Sequence, residues 1–227
     1  MQYSGYLNSN GKSVTKDKNL LAPKRSVLEE IGNSVSHGVG ALFGVVVLIM
    51  MLNSAHNLNQ AVGAWIYFAG IFISMTMSSL YHAFKYGTVT KRLFRRFDYI
   101  SIYLLIGATF APILLIFIKG VLGFAFFTAQ WLVIAVGVTF IGVFGPNKFR
   151  IFHLLGYVLM GWSGLFFLPR MLNGAPILVA FILGGGIIYS LGIIPFALKG
   201  RVAHFIWHLF VLGGVAVQWI GIYLTLY

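Results

Sequence analysis

The chain of 227 residues is 59% hydrophobic and only 9% charged, with a mean hydropathy of +0.90. An ordinary soluble domain carries roughly 25% charged residues, so this composition excludes a soluble globule, and its hydrophobicity excludes a disordered chain. Cysteine is absent, which excludes disulfides, thiolate zinc sites and a cysteine nucleophile, and the net charge of +12 must be located along the chain before it argues for nucleic acid.

Residues 1–28 are polar and rich in Lys, Ser and Asn, without the apolar stretch and small-residue cleavage site of a signal peptide. They read as a flexible cytoplasmic tail, and residues 29–227 as one membrane domain. Crossing a bilayer takes about 20 apolar residues. Seven runs qualify: Ile31–Leu52, Ala64–Phe84, Phe97–Ile118, Leu122–Phe144, Ile151–Leu168, Pro176–Leu198, and Val202 almost to Tyr227. Lipid offers the backbone no hydrogen-bond partners, so such runs must be helices. The alternating ten-residue segments of a membrane barrel are not seen. The expected fold class is therefore all-α, a polytopic bundle of seven transmembrane helices. Gly184–Gly186, Pro112 and Pro195 are the expected bends.

The connections carry the charge. Lys12, Lys16, Lys18, Lys24 and Arg25 lie in the tail; Lys85, Lys91, Arg92, Arg95 and Arg96 in the second connection; Lys148 and Arg150 in the fourth; Lys199 and Arg201 in the sixth. Under seven spans all of these share one side, and only Lys119 and Arg170 fall on the other. The positive-inside rule then puts the N-terminus in the cytoplasm and the C-terminus outside. The +12 becomes a signal of sidedness, compatible with contact to anionic lipid, and nucleic acid need not be invoked.

On this topology His82, His204 and His208, together with His37 and His153, gather at one depth, whereas His56 falls in an outer connection. Ionisable groups inside a span cost about 2.5–3.5 kcal/mol each and are functional candidates. His204 and His208 are four apart in HFIWH, which puts both imidazoles on one helix face with metal-ligand geometry. Phe205 stands where a metalloprotease would carry its glutamate, so no general base is built into the pair. A catalytic zinc site needs a third protein ligand, and His82 is the candidate by depth. Asp98, at the expected inner start of the third span, is the carboxylate to orient or deprotonate water at the metal. Ser78, one turn before His82, can donate to a developing oxyanion or support the ligands. Each residue alone has an ordinary explanation: a helix-end histidine, an ion pair of Asp98 with Arg95 or Arg96, a small packing serine. Their convergence from three spans favours a site. His37 can pair with Glu30 across two turns or with another helix, and Glu29 and Glu30 also suit the positive end of a helix dipole. His153 has a weaker claim on the site.

The segments EEIGNSVSHGVGALFG, SSLYHAF, FDYISIYLLIGATFAPI and HFIWHLFVLGG resemble the hemolysin III family. That family is similar to the adiponectin and progestin receptors and, more remotely, to the alkaline ceramidases. The shared pattern is S-x-x-x-H in span two, Asp in span three and H-x-x-x-H in span seven, here Ser78–His82, Asp98 and His204–His208. The resemblance runs from about Glu29 to the C-terminus. It implies seven helices with the N-terminus inside, zinc on the three histidines with Asp98 and Ser78 beside it, and hydrolysis of lipid amides. It also associates bacterial members with hemolysis and membrane homeostasis. The expected function is thus a zinc-dependent membrane lipid hydrolase with membrane lipids as partners. Alternatives are a non-enzymatic regulator of membrane state with structural zinc, and a pore.

Overall fold

The computed structural model describes residues 23–198, 200 and 202–227. The tail residues Lys12, Lys16, Asp17 and Lys18, and the basic residues Lys199 and Arg201, lie outside the described residues. Among the described residues the chain is all helical, and 7 helices are long and apolar enough to cross a membrane. They are α1 (Val27–Asn53), α2 (Leu58–Ala83), α3 (Val89–Pro112, continued by a π turn, Ile113–Ile118), α4 (Gly120–Phe144), the fifth span, α7 (Pro176–Ala197) and α8 (Ala203–Leu226). The fifth span is composite: α5 (Arg150–Trp162), a 3-10 turn (Ser163–Phe167) and α6 (Leu168–Gly174).

Side-chain caps fix where the first three helices start. Ser26, Asn57 and Thr88 each accept a hydrogen bond from the backbone N–H three residues on, satisfying donors that no helical carbonyl can reach. The Thr88 cap starts α3 well before Phe97. Lys91, Arg92, Arg95 and Arg96 therefore lie on its first turns rather than in a loop, and Asp98 lies inside the helix rather than at its start. Hydropathy missed these turns because their polar side chains sit on a helical face, with Lys91 and Arg95 turned inward. The fifth span also runs past its expected end at Leu168. Pro169 stands in the first turn of α6, where a backbone N–H has no helical partner to lose.

The expected bends have different origins. At Pro112, which has no N–H, α3 passes into the π turn, closed by Lys119 N–H bonding Leu114 O at 3.0 Å. Helix α7 runs unbroken through Gly184–Gly186, and Pro195 lies in its last turns. The glycines there serve packing: a Cβ on Gly185 would stand 2.3 Å from Gln218 Cγ on α8.

The buried stripe of α1 reads Asn33, His37, Gly40, Ala41, Gly44, Val47, Leu48 and Met51, a helical period facing α2 and α8. Its outward face exposes Val35, Val39, Leu42, Val46 and Ile49. In a membrane protein that is the lipid-facing surface, because only lipid can cover it without the hydrophobic cost water imposes. The apolar core continues through Tyr67, Ile71 and Met75 of α2, Leu105 of α3 and Val215 and Ile222 of α8. Polar groups are concentrated toward the end of the bundle where α2 finishes and α3 and α8 begin.

Candidate metal centre

His82 lies in the last turn of α2, and His204 and His208 lie in the first two turns of α8. One nitrogen from each lies within 4.8 Å of the others. His204 Nε2 is 3.3 Å from His82 Nε2 and 3.3 Å from His208 Nε2. Neutral Nε2 has one in-plane site, either a proton or a lone pair. His204 cannot satisfy both neighbours through hydrogen bonds. A cation between the three nitrogens can. Two nitrogens at about 2.0–2.1 Å from a tetrahedral zinc would stand about 3.3 Å apart, the spacing from His204 to each of the other two. The donor set therefore fits zinc.

The opposite nitrogen of His82 is held by α1. Glu30 Oε2 is 2.5 Å from His82 Nδ1, and Glu30 Oε1 is 3.0 Å from Lys91 Nζ. A carboxylate accepting from Nδ1–H leaves the Nε2 lone pair directed at its neighbours, the tautomer a metal requires. Lys91 is almost wholly buried and also donates to the carbonyls of Tyr81 at 2.9 Å and His82 at 3.4 Å. The ammonium thus balances Glu30 and pins the end of α2. Arg25, just before α1, contacts the Tyr81 hydroxyl at 3.5 Å and Glu29 at 3.7 Å. The Ser34 and Ser79 hydroxyls cross-link the same two helices, each donating to the other's carbonyl.

His37 is buried and does not pair with Glu30. Its ring stacks on that of His208, with centroids 3.8 Å apart and planes 20° apart. It backs a candidate ligand from α1.

Ser78 and Asp98 stand in hydrogen-bonding reach of each other. Together with His204 and His208 they line a cavity of about 160 Å³ between α3, α5, α7 and α8. Asp98 is outside the three-histidine cluster itself. Its place on the cavity wall suits a group that acts on something bound there. The cavity follows α3 from Asp98 through Leu105 and Thr109 to Ile113, about 22 Å at 1.5 Å per residue. A smaller apolar pocket shares the Phe110, Ile113 and Trp162 walls and reaches Met171. The cavity is polar at the Asp98 end and mostly apolar beyond it, with Thr109 and Gln218 among the exceptions, a pattern that suits a molecule with a polar head and an apolar tail.

The structure brings His82, His204 and His208 together and sets Ser78 and Asp98 on the adjoining wall. The sequence reading missed the part played by Glu30 and Lys91. A signal was present: Glu30, Asn33 and His37 recur at i, i+3 and i+7, a polar stripe on one face of an otherwise apolar helix.

The sequence matches the family described as Haemolysin-III related over residues 25–219. The chain belongs to that family. It is 36% identical to Hemolysin-3 of Bacillus cereus over 197 residues, covering 85% of this chain and 89% of the relative. It is 32% identical to the Hemolysin-3 homolog of Bacillus subtilis (strain 168) over 200 residues, covering 85% and 92%. It is 27% identical to the human Monocyte to macrophage differentiation factor over 212 residues, covering 90% and 87%. The match takes in every residue of the three-histidine site and its Glu30 support, and the similarity to the Bacillus proteins covers most of both chains.

Proposed function

We propose that this protein is a zinc-dependent membrane hydrolase that cleaves the amide bond of a lipid held in the cavity. One juxtaposition carries the reading: three imidazole Nε2 atoms converge at the polar end of a long apolar cavity, whose wall there also holds Asp98 and Ser78. Zinc held by His82, His204 and His208 would supply a Lewis acid and lower the pKa of water. Asp98 takes a proton from the attacking water and returns it to the amine nitrogen as the C–N bond breaks, leaving a fatty acid and an amine. Ser78 donates to the oxyanion that develops on the carbonyl. Glu30 keeps His82 in the ligating tautomer throughout. Lys85, Arg92, Arg96, Lys148 and Arg150 gather at the polar end, so the reading turns that end to the cytoplasm and draws its substrate from the inner leaflet.

A structural zinc, cross-linking α2 and α8 and reaching α1 through Glu30, is the second reading. It draws on the same Glu30–His82 contact. A pore finds less support, because the far part of the cavity is walled mainly by apolar side chains, Phe110, Ile113 and Trp162 among them, which offer an ion little in exchange for its hydration. Purified protein assayed for zinc by mass spectrometry and for fatty acid released from an N-acyl lipid separates these. Hydrolysis predicts that Asp98→Asn keeps zinc and thermal stability and loses turnover. Loss of zinc or stability in Asp98→Asn, with no turnover in the parent, supports the structural reading.

A further inference from the structure

On the α5 wall of the cavity, apart from the three-histidine cluster, His153 is 1% exposed. Its Nδ1 is 3.2 Å from the Tyr103 hydroxyl. Its Nε2 is buried and, among the described residues, has no partner. A buried donor or acceptor left without a partner is destabilising, and the cavity is what His153 adjoins.

The tautomer follows from Tyr103. Among the described residues its hydroxyl has no other hydrogen-bond partner, so the phenol proton goes to His153 Nδ1. The ring proton then sits on Nε2, and His153 presents an N–H donor. The phenol itself is rigidly placed. It is 1% exposed, and its ring fills space left open by two glycines: a Cβ on Gly137 of α4 would stand 2.4 Å from Tyr103 Cζ, and one on Gly156 of α5 would stand 2.8 Å from its hydroxyl. The Tyr157 ring packs against it with centroids 4.4 Å apart. Two helices are thus trimmed to hold the group that sets the state of one imidazole nitrogen.

We propose that His153 is the contact that recognises the polar head of the cavity's occupant, its Nε2–H donating to an oxygen acceptor of a single-chain lipid amide. The assignment rests on reading the cavity as a lipid site, and it adds a specificity contact on the wall formed by α5. The occupant lies with its chain along α3 toward Ile113 and its head oxygen between the metal centre and His153. A head without an acceptor oxygen leaves Nε2 unsatisfied, so discrimination comes from a penalty as much as from a bond.

The test uses purified full-length protein in lipid nanodiscs and two tritiated probes: an N-acylethanolamine with a sixteen-carbon chain, and hexadecane, which has no head. His153→Phe keeps ring volume and removes the donor. His153→Gln keeps an acceptor for Tyr103 and an N–H for the lipid. We expect His153→Phe to weaken the amide probe about tenfold, the 1.4 kcal/mol of one hydrogen bond. Hexadecane binding should be unchanged, and His153→Gln should bind the amide within about threefold of the parent. Zinc content should be the same in all three proteins. Equal amide affinity in His153→Phe, equal weakening of both probes, or failure of the parent to prefer the amide over hexadecane would each overturn the assignment. Turnover of the same amide is measured in parallel. Absent turnover with the binding pattern intact refutes hydrolysis and leaves the recognition contact standing; turnover with amide affinity indifferent to His153 does the reverse.

Discussion

Glu30→Gln is the sharpest probe of the metal centre, because it alters charge and almost nothing else. In the parent, one carboxylate oxygen is 2.5 Å from His82 Nδ1 and the other 3.0 Å from Lys91 Nζ. A carboxylate behind a metal-bound imidazole raises its basicity, and losing such a partner costs roughly 10–100-fold in metal affinity, about 1.4 to 2.8 kcal/mol. The second consequence is for the fold. Breaking a fully buried ion pair costs about 3–5 kcal/mol. The loss here should be smaller, about 1–3 kcal/mol, because the Glu30 side chain keeps 15% exposure and Lys91 keeps the Tyr81 and His82 carbonyls as acceptors. The two effects separate in Glu30→Gln/Lys91→Met, which removes the orphaned ammonium. Zinc affinity is measured by competition with a fluorescent chelator and stability by thermal unfolding in detergent. The double variant should regain melting temperature without regaining zinc affinity. Unchanged zinc affinity in Glu30→Gln, or its complete recovery in the double variant, would refute the claim that Glu30 acts on the metal through His82.

Alanine at His82, His204 or His208 should each reduce bound zinc well below one per chain by mass spectrometry, since three nitrogens are the whole donor set offered by the cluster. Ser78→Ala should keep zinc and lower turnover by roughly 10²-fold, the scale of one lost oxyanion donor. His37→Phe preserves a flat ring against His208 and should hold zinc better than His37→Ala, which removes the stacked surface; equal affinities would show the stack to be incidental. Gly70→Ala sets a new Cβ 2.2 Å from Ala108 Cβ, where α2 meets α3, and should cost about 1–3 kcal/mol in thermal unfolding, recovered in large part by adding Ala108→Gly.

The seven spans were legible because the bilayer makes length and hydropathy nearly sufficient. What hydropathy could not see was the first part of α3, where Lys91, Arg92, Arg95 and Arg96 read as a loop, and α6, where Pro169 and Arg170 read as an outer connection. Both are helical because a cap or a proline at the first turn settles the backbone locally, whatever the mean polarity. At the site, the i, i+4 spacing of His204 and His208 required only one helix, so the sequence was enough. Joining them to His82 required depth, which the topology supplied. The partner of Glu30 required the rotation of α1 about its axis, which nothing local to α1 specifies. Glu30 therefore read as a helix-dipole acid, and Lys91 as part of a surface charge run. The notch between Gly137 and Gly156 that holds Tyr103 was beyond reach for the same reason: three helices must be placed before two glycines become a cavity for one phenol.

Several polar groups inside the spans are satisfied across elements: Ser34 with Ser79, Lys91 with two carbonyls and Glu30, Tyr157 with the Tyr99 carbonyl, Trp162 with Ser190. Each pair lowers the cost of placing a polar side chain in a membrane span, and each ties two elements at a fixed rotation. Among the described residues, exceptions adjoin the cavity: both ring nitrogens of His37 lack a partner, and two further imidazoles bear on the site. His204 faces two nitrogens with the capacity for one hydrogen bond, and His153 has one nitrogen locked by Tyr103 and the other unpaired. A leucine or phenylalanine at either position would avoid the cost of a buried unsatisfied nitrogen. On the reading proposed above, Glu30 fixes the tautomer of His82 and Tyr103 that of His153, so a cation would bind at one position and a polar head at the other. The two positions differ in what they can bind. Three convergent imidazole nitrogens suit a metal, whereas a lone N–H donor suits an oxygen, and the lipid amide proposed above would reach both.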